Sequence, residues 1–551
     1  MRRRQIIADV GNLLFEDDES ILSDPLTDEL CTPELFFGLV GAIGTDLQKV
    51  SEILKRALKD EVDYETRVIK LSSIVTPAEH QEESDRYQRY LLKMQAGTDT
   101  RNFYDRADAV VLKGLNEVRA LRREANAEET LPAETDPAEL PADSMAFVFH
   151  SLKRKEEVDT LRRIYGESFY LIGAYSPRET RVVTLAEAIA SSRHKQNTEQ
   201  FRPQAEELIE KDRADHGERL GQAVQKTFPE ADIFINIEDE DEAKAEITRF
   251  IRLIFSDAFF TPRKNEQAMF FARAAALRSA DLGRQVGAVI ISEEGDVLSI
   301  GTNEVPKALG GQYWEGDNPD KRDFKLRFDS NDKMKKTLIG DVASQLSSKI
   351  HETIREIVEL SEQSKLSSED IDTLIAKAAS QAELTKSIEK SQIVNLIAYF
   401  RAMHGEMAAL IGAARRGISV RGATLVCTTF PCHECARHIV AAGIKKVLYI
   451  EPYPKSLTVE LYRDSVVVDS PQSNDTFVHF VPFVGVAPRQ FMQLFDASRI
   501  ERKDDGEVVD WDASMAKPRR SESPQAYVFK EKKRLHFLEV YDKKFGGKEN
   551  G

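Results

Sequence analysis

Two short motifs, His404 to Glu406 and Pro431 to Cys435, contain the residues of this chain best suited to chemistry. An imidazole and two thiolates are typical zinc ligands. A set of three leaves the fourth tetrahedral position open, as in catalytic rather than structural sites. We therefore expect Zn²⁺ as the cofactor, held by His404, Cys432 and Cys435, with Glu406 as a carboxylate that does not bind the metal.

The spacing of each motif fits the first turn of a helix. Cys432 and Cys435 stand three residues apart after a proline, so a helix beginning there presents both sulfurs on one face. The positive end of the helix dipole favours the thiolate form, which binds metal. His404 is predicted to begin a second helix, which directs Glu406 toward the metal. The expected buried stripe of that helix comprises Met407, Ala408, Leu410 and Ile411.

Together the motifs form the signature of zinc deaminases that act on nucleobases. In the predicted mechanism Glu406 takes a proton from the attacking water. It then protonates ring atom N3 and the departing amine, so that cytosine becomes uracil and ammonia. A redox pair or half a zinc finger would explain only the cysteines. His433 lies between the cysteines and His438 one turn beyond them, so neither is predicted to be a ligand.

The segments around the motifs predict a mixed sheet. Arg421–Cys427 and Lys446–Ile450 are strands on either side of the cysteine helix, which indicates a parallel crossover. Upstream, Gln285–Ile291 and Asp296–Gly301 form a hairpin. Cys427 is expected to be a buried strand residue rather than a ligand.

Three further stretches, Arg278–Asp281, Arg284–Ala288 and Gly301–Glu304, accompany the zinc motifs, and with them the chain resembles the deoxycytidylate deaminase family. Within it, the chain is most similar to bacterial antiviral dCTP/dCMP deaminases, which carry a P-loop-like domain before the deaminase. The resemblance implies hydrolytic deamination of free dCTP or dCMP to dUTP or dUMP, depletion of dCTP during phage infection, and restraint by a small RNA. One departure is Gly405, where alanine is usual.

The resemblance also implies roles for individual residues. Asn303 would hydrogen-bond the sugar, and Arg278, Ser279 and Arg284 are candidates for the phosphates, which suit the planar guanidinium fork. Tyr453 and Lys455 follow a strand end and are further substrate candidates. The alternative for the arginines is that they are solvated or paired with neighbouring carboxylates.

The N-terminal half has the layout of a phosphate loop: a strand at Glu34–Val40, a glycine turn at Gly41–Thr45 and a helix from Asp46 through Leu58. Its candidate nucleotide contacts are Gly38, Gly41, Gly44 and Thr45. A complete Walker sequence has lysine before the Ser/Thr, where this chain has Gly44. We therefore predict a nucleotide-binding or regulatory domain rather than active phosphoryl transfer. A tight turn without a ligand is the alternative.

Further strands at Met145–Phe149, Ser168–Ile172 and Ala231–Asn236 predict a doubly wound sheet. The expected fold class is α/β: an N-terminal P-loop NTPase-like, kinase-like but degenerate domain, and a C-terminal cytidine-deaminase-like domain with a helical insertion. The predicted boundaries are a flexible N-terminus at 1–30, the first domain at 31–255, the deaminase domain at 256–516 with its insertion at 308–398, and a basic tail at 517–551.

The insertion and the tail each permit more than one interpretation. The aromatic part of the insertion, Gly310–Asp332, forms a lid or a base-stacking wall, or it belongs to the core. Its helical part contacts a neighbouring subunit of a homo-oligomer, packs internally or forms a solvated helical hairpin. The basic residues of the tail either contact RNA or are solvated.

Composition limits the function classes. With 551 residues and a net charge of −16, the chain is long enough for more than one domain and too acidic for a broad nucleic-acid footprint. Four cysteines, two of them proposed ligands, indicate no disulfide framework and favour a reducing cytoplasm. No segment is predicted to span a membrane.

Two classes of function remain open. One is an enzyme acting on free cytosine deoxynucleotides, with a polynucleotide deaminase as a variant. The other is a nucleotide- or RNA-regulated sensor, in which a second nucleotide binds the first domain.

Overall fold

The structure is a computed structural model that describes residues 32–545, apart from 82, 128–135, 216, 361–372, 374–379, 392, 394–398, 454–455, 470–475, 499 and 520–522. The described residues form two compact units. The first comprises the described parts of Met1–Glu266 and Pro482–Gly551, and the second those of Gln267–Val481. The predicted flexible N-terminus at 1–30 lies outside the described residues.

The strands are β1 Leu35–Val40, β2 Glu65–Lys70, β3 Met145–His150, β4 Phe169–Tyr175, β5 Ile233–Asn236, β6 Gly287–Ile291, β7 Val297–Thr302, β8 Thr424–Thr429, β9 Lys446–Glu451, β10 Val466–Val468, β11 Val478–Pro482, β12 Gly485–Val486, β13 Lys503–Asp504 and β14 Glu507–Val508. The α-helices are α1 Leu47–Val62, α2 Leu71–Val75, α3 Ala78–Gln81, α4 Arg86–Phe103, α5 Ala109–Ala125, α6 Lys155–Tyr165, α7 Arg178–Ser192, α8 Arg202–Arg213, α9 Val224–Thr227, α10 Glu240–Ile254, α11 Lys264–Leu277, α12 Asp323–Leu326, α13 Ser330–Leu360, α14 Gln381–Ile388, α15 Gly405–Arg415, α16 His433–Ala441, α17 Thr458–Leu461, α18 Phe491–Phe495 and α19 Pro524–Phe545.

The sheet of the first unit has the order β12-β5-β4-β1-β3-β2. The strands β1 to β5 pair in parallel, and β12 adds an antiparallel edge next to β5. Because β2 and β4 lie on opposite sides of β1, the chain reverses its direction of travel across the sheet at β1. In open α/β sheets this reversal point, at the carboxyl ends of the strands, is where ligands bind.

Helices cover both faces of this sheet. Leu35, Phe37 and Leu39 of β1 are fully buried in one core cluster with α1 and α10. Phe36, between them, faces the other way, because side chains alternate along a strand, and stacks on Tyr165 of α6 at a centroid distance of 3.5 Å. The predicted α/β architecture with a parallel sheet is confirmed for this unit.

The C-terminal region differs from the predicted basic tail at 517–551, because its helix α19 packs into the first unit. Arg122 lies between two carboxylates: its Nε is 2.8 Å from Glu34 Oε1, and its Nη1 is 2.8 Å from Glu531 Oε2 of α19. All three side chains are fully buried. The unit boundaries therefore fall near 266 and 482 instead of 255 and 516.

Replacing Arg122 by methionine should destabilise the first unit by about 3–5 kcal/mol, because it leaves two buried carboxylates without their cation. The matched control is Arg123→Met, since Arg123 is half-exposed and its ion pair with Asp136 should contribute at most about 1 kcal/mol. Urea denaturation of the full chain measures the difference. Equal midpoints for the two variants would contradict this account.

The sheet of the second unit has the order β10-β11-β9-β8-β6-β7. The hairpin β6–β7 is antiparallel, as predicted, and β8 and β9 are parallel neighbours joined through α16. Helix α15 packs against β6 and β7 and contacts α16. The two helices that begin at the zinc motifs are thus held side by side on one sheet.

The approach of α15 to β7 requires glycine at position 301. A Cβ there would lie 2.1 Å from the carbonyl oxygen of Gly405 and 2.3 Å from the backbone nitrogen of Ala409. Neither backbone atom can move away without shifting α15. Gly301 therefore determines how closely the helix with Glu406 lies on the sheet.

Two expectations for the second unit have mixed outcomes. In the predicted stripe of α15, Ala408 and Leu410 are buried, but Ile411 is 49% exposed. The predicted helical insertion at 308–398 contains α12, α13 and α14, with several of its residues outside the described part.

Across the described residues, no helix has the length and apolar character needed to cross a bilayer.

Candidate active site

The structure brings together the three predicted zinc ligands. His404 is the N-terminal cap residue of α15 and Cys432 that of α16, with Cys435 in the first turn of α16. His404 Nδ1 lies 3.3 Å from each of the two sulfurs, and all three ligand atoms are within 4.8 Å of one another. One nitrogen and two sulfurs at this separation suit a tetrahedral Zn²⁺ with one position left for water.

The short distances between the three predicted ligands shift their pKa values. The hydrogen bond from Cys435 lowers the pKa of Cys432 to about 4, so Cys432 is a thiolate. The same hydrogen bond, together with burial, raises the pKa of the Cys435 thiol well above its usual value. Burial opposes protonation of His404, but the hydrogen bond with Cys432 prevails and raises its pKa to about 9. A metal that binds here must displace protons from these groups.

Glu406 lies in the first turn of α15 and is only 4% exposed. Burial raises the pKa of its carboxyl group, while the neighbouring His404 opposes the rise. A carboxyl group whose pKa is raised holds a proton more readily and can still return it, which general acid–base chemistry requires.

Glu406, His404 and Cys432 line a cavity of about 250 Å³, and Cys435 is buried behind it. Its lining also includes the following residues, all from the second unit: Asp281, Gly283, Arg284, Val286, Asn303, Phe400, Ala402, Thr429, Phe430 and Tyr453. The two phenylalanine side chains provide apolar surface beside the metal ligands. Phe400 contacts the His404 ring edge-on, at a centroid distance of 5.6 Å.

Arg284 is the predicted phosphate residue that lines this cavity. Its Nη1 pairs with Glu451 Oε1 at 2.8 Å, and its guanidinium carbon lies 5.7 Å from the ring centroid of Tyr453. The Arg284 side chain is 49% exposed, so it places positive charge where the cavity meets solvent. Tyr453, a predicted substrate residue, lines the same cavity.

Asn303 lines the cavity, but its amide already has backbone partners. Its Oδ1 accepts from Val286 N at 2.7 Å, and its Nδ2 donates to Arg284 O at 2.6 Å. These bonds hold the Arg284–Val286 backbone at the cavity wall. The Oδ1 and Nδ2 atoms of Asn303 each have capacity for one more hydrogen bond, which a sugar hydroxyl would use.

The structure places Arg278 and Ser279 outside the lining of this cavity. Arg278 lies over the ring of Trp314, 3.6 Å from the centroid, and donates to Gln312 and to the Tyr313 carbonyl. Ser279 is buried and donates to the Asn303 carbonyl. Arg278 thus connects the end of α11 to the start of the insertion, and Ser279 connects it to Asn303 after β7.

Sequence reasoning missed Asp281, Phe400, Thr429 and Phe430 as lining residues. Thr429 and Phe430 directly precede Pro431, so their position next to the cysteine motif was the available signal. Phe400 offered none beyond its closeness to His404 in sequence. Lys455, another predicted substrate residue, lies outside the described residues.

The glycine turn that was predicted to be a phosphate loop lies between β1 and α1 in the first unit. Gly41, Gly44 and Thr45 line a separate cavity of about 580 Å³, and Gly44 has a positive φ of 90°. Gly38 does not line it: a Cβ at Gly38 would lie 2.6 Å from Leu152 Cδ1, so this glycine serves packing within the sheet.

Comparisons with known proteins concern mainly the second unit. Residues 262–451 match the family profile described as the cytidine and deoxycytidylate deaminase zinc-binding region. The deoxycytidylate deaminase of Enterobacteria phage T4 is 46% identical over 54 residues, which cover 10% of this chain and 28% of the phage protein. The ComE operon protein 2 of Bacillus subtilis (strain 168) is 40% identical over 53 residues, covering 10% of this chain and 28% of that protein. The chain thus matches less than a third of the length of these curated relatives.

Among solved structures, the dCMP deaminase of cyanophage S-TIM5 in complex with dCMP and dUMP is similar to 40% of this chain and 98% of its own. Its sequence identity is 16% and its TM-score is 0.21.

Proposed function

We propose that this protein, whose residues 262–451 match the cytidine and deoxycytidylate deaminase zinc-binding region, hydrolyses the amino group of a free cytosine deoxynucleotide and releases ammonia. The observation that carries this proposal is the grouping of His404, Cys432 and Cys435 around one point, with the buried Glu406 in the same cavity. Three ligands and an unligated carboxylate are what a hydrolytic metal site needs.

The chain's own residues supply the binding and the proton transfers. His404, Cys432 and Cys435 would hold Zn²⁺, which when bound acidifies water and makes it nucleophilic at neutral pH. Glu406 accepts the proton of the attacking water as the water oxygen bonds to C4 of cytosine. It passes that proton to N3. It then takes the remaining proton from the oxygen added to C4 and gives it to the amine, which leaves as ammonia as the C4–N4 bond breaks and the C4 carbonyl forms.

The cavity suits a single pyrimidine nucleotide. Its volume of about 250 Å³ is at the small end of the range for ligand sites, and Phe400 and Phe430 offer apolar faces to the base. Asn303 has spare hydrogen-bonding capacity for the sugar, and Arg284 presents its charge at the solvent side for the phosphate. The acidic net charge of −16 also favours a mononucleotide over a polynucleotide.

Replacing Arg284 by glutamine should raise the KM for dCMP about tenfold while leaving deamination of deoxycytidine unchanged, because only dCMP carries the phosphate. Steady-state kinetics with the two substrates measures the ratio. The matched control is Arg273→Gln, which removes an exposed arginine of α11 that does not line the cavity. An equal loss on both substrates would show that Arg284 supports the cavity wall instead of the phosphate.

The experiment that tests the proposed function is ammonia release by zinc-loaded protein from deoxycytidine, dCMP, dCTP, CTP and a cytosine-containing oligonucleotide. Turnover of the free deoxynucleotides supports the proposal, and their relative rates determine the preferred phosphate number. Turnover of the oligonucleotide alone would instead support a polynucleotide deaminase. No turnover of any compound by protein with bound zinc would contradict the proposal.

Further proposals rest on the sequence resemblance described above. They are that dCTP is a substrate, that the enzyme acts in the cytoplasm in defence against phage by depleting nucleotides, and that a small RNA restrains it. We also propose that the protein forms a homo-oligomer.

A further inference from the structure

The cavity of the first unit lies where its parallel sheet would bind a ligand. The residues that line it include the turn after β1, the last residue of β2 and the turn after β3. These are the carboxyl ends of three strands next to the point at which the chain reverses direction across the sheet. At about 580 Å³ the cavity has the size of sites for nucleotide-sized ligands.

The glycine turn itself is partly occupied by the protein's own groups. Asp212 Oδ2 accepts from the Ile43 backbone nitrogen at 2.7 Å, a donor that an anion would otherwise use. Asp212 Oδ1 also pairs with Lys153 at 2.8 Å. The turn carries no lysine of its own, so the cations available to a ligand must come from elsewhere.

The charges that line the cavity do not balance. The cations are Lys70, Arg86, Lys93, Arg101 and Lys153, and the carboxylates are Asp46, Glu157 and Asp212. Arg101 is paired with Glu157 at 2.9 Å and Lys153 with Asp212. Asp46 accepts from the Lys49 backbone nitrogen as the cap of α1. In the part of the chain that the structure describes, the side chains of Lys70, Arg86 and Lys93 have no carboxylate partner.

Lys70 and Arg86 lie close enough to Lys93 for their positive charges to act on it. Burial, followed by the positive charges of Arg89, Arg86 and Lys70, lowers the pKa of Lys93. Burial, with Lys70 and Lys153 nearby, also lowers the pKa of His150 to about 4, so this residue is neutral. The Nε2 atom of His150 is buried without a hydrogen-bond partner among the described residues. Clustered like charges cost stability, and a polyanionic ligand would remove that cost.

We propose that this cavity binds the polyphosphate group of a nucleoside triphosphate through Lys70, Arg86 and Lys93. The three cations come from the end of β2 and from α4, not from the glycine turn, and they replace the missing loop lysine as the source of positive charge. Thr45 Oγ1 and His150 Nε2, both buried and unpartnered within the described chain, add polar contacts. Tyr90 and Met94 of α4 provide apolar lining for the base.

The test is calorimetric titration of the full chain carrying Glu406→Gln with ATP and, separately, with inorganic tripolyphosphate. ATP contains no cytosine, so its binding does not depend on the proposed deaminase reaction. We expect Lys93→Met and Arg86→Gln each to weaken ATP binding about tenfold, the effect of losing one charge-assisted contact. The matched controls, Lys55→Met and Arg56→Gln, remove exposed cations of α1 that do not line the cavity and should leave affinity unchanged.

Each outcome of the titration bears on the proposal. Binding of ATP that weakens in the cavity variants but not in the controls supports it, and parallel weakening with tripolyphosphate assigns the affinity to the phosphates. The proposal is overturned if ATP does not bind, whether or not tripolyphosphate binds. It is also overturned if the cavity variants bind ATP as tightly as the unmodified chain.

Thermal stability separates loss of a ligand site from loss of structure. Without ligand, Lys93→Met should melt about 2 °C higher than the parent, because it removes an unmatched, partly buried charge and keeps the side-chain stem. With saturating ATP, the parent should gain more stability than the variant. A variant that melts lower than the parent in the absence of ligand would show that Lys93 serves the fold.

Discussion

Glu406→Gln should reduce deamination of dCMP by about 10²–10⁴-fold while the protein keeps its zinc. Glutamine has nearly the shape of glutamate, but it cannot accept the proton of the attacking water or return it to the base. Because Glu406 is not one of the three grouped ligands, the metal content should not change. The rate of ammonia release and the zinc content measured by atomic emission test the two halves of this expectation.

The matched control for this variant is Glu434→Gln. Glu434 lies between the two cysteines, pairs with Arg437 and does not line the cavity. Removing its charge changes the electrostatics near the site without touching the proton path. Equal activity of Glu406→Gln and the unmodified protein would refute the assignment of the proton shuttle, whatever the metal content.

Cys432→Ser should lose both zinc and turnover. A serine hydroxyl ionises far less readily than a thiol, so it does not replace the thiolate that the Cys435 hydrogen bond stabilises at position 432. Only His404 and Cys435 then remain, and two ligands do not hold a catalytic zinc. Turnover should fall to background, a larger loss than for Glu406→Gln because the metal itself is absent.

Cobalt substitution gives this variant a readout independent of activity. Co²⁺ bound by two thiolates has strong sulfur-to-metal charge-transfer absorption, which should disappear in Cys432→Ser. Cys427→Ala is the matched control, because Cys427 is fully buried in β8 and is not among the grouped ligands. A zinc-replete Cys432→Ser protein would mean that the ligand set is wrong.

The sequence alone determined the parts of the site that depend on local spacing. Residues three apart at the start of a helix must share a face, so Cys432 and Cys435 could be paired without knowledge of the fold. The strands around them and the hairpin β6–β7 followed from apolar periodicity and turn residues, and the structure confirms them. These predictions succeed because each depends on a few consecutive residues.

Only the tertiary structure decided which side chains meet across the chain. Arg278 and Arg284 are six residues apart and chemically equivalent, yet only Arg284 lines the cavity, because Trp314 and Gln312 hold Arg278 elsewhere. Phe400, two residues beyond the predicted insertion, contacts the ring of the predicted ligand His404.

The same holds for the first unit. The glycine turn was visible in the sequence. The three cations beside it that have no carboxylate partner among the described residues come from β2 and α4. Glu531 of helix α19 forms a salt bridge with Arg122 of the same unit, and these two residues are 409 positions apart in the sequence. Contacts over such separations depend on how whole elements pack, and this packing cannot be predicted from a window of neighbouring residues.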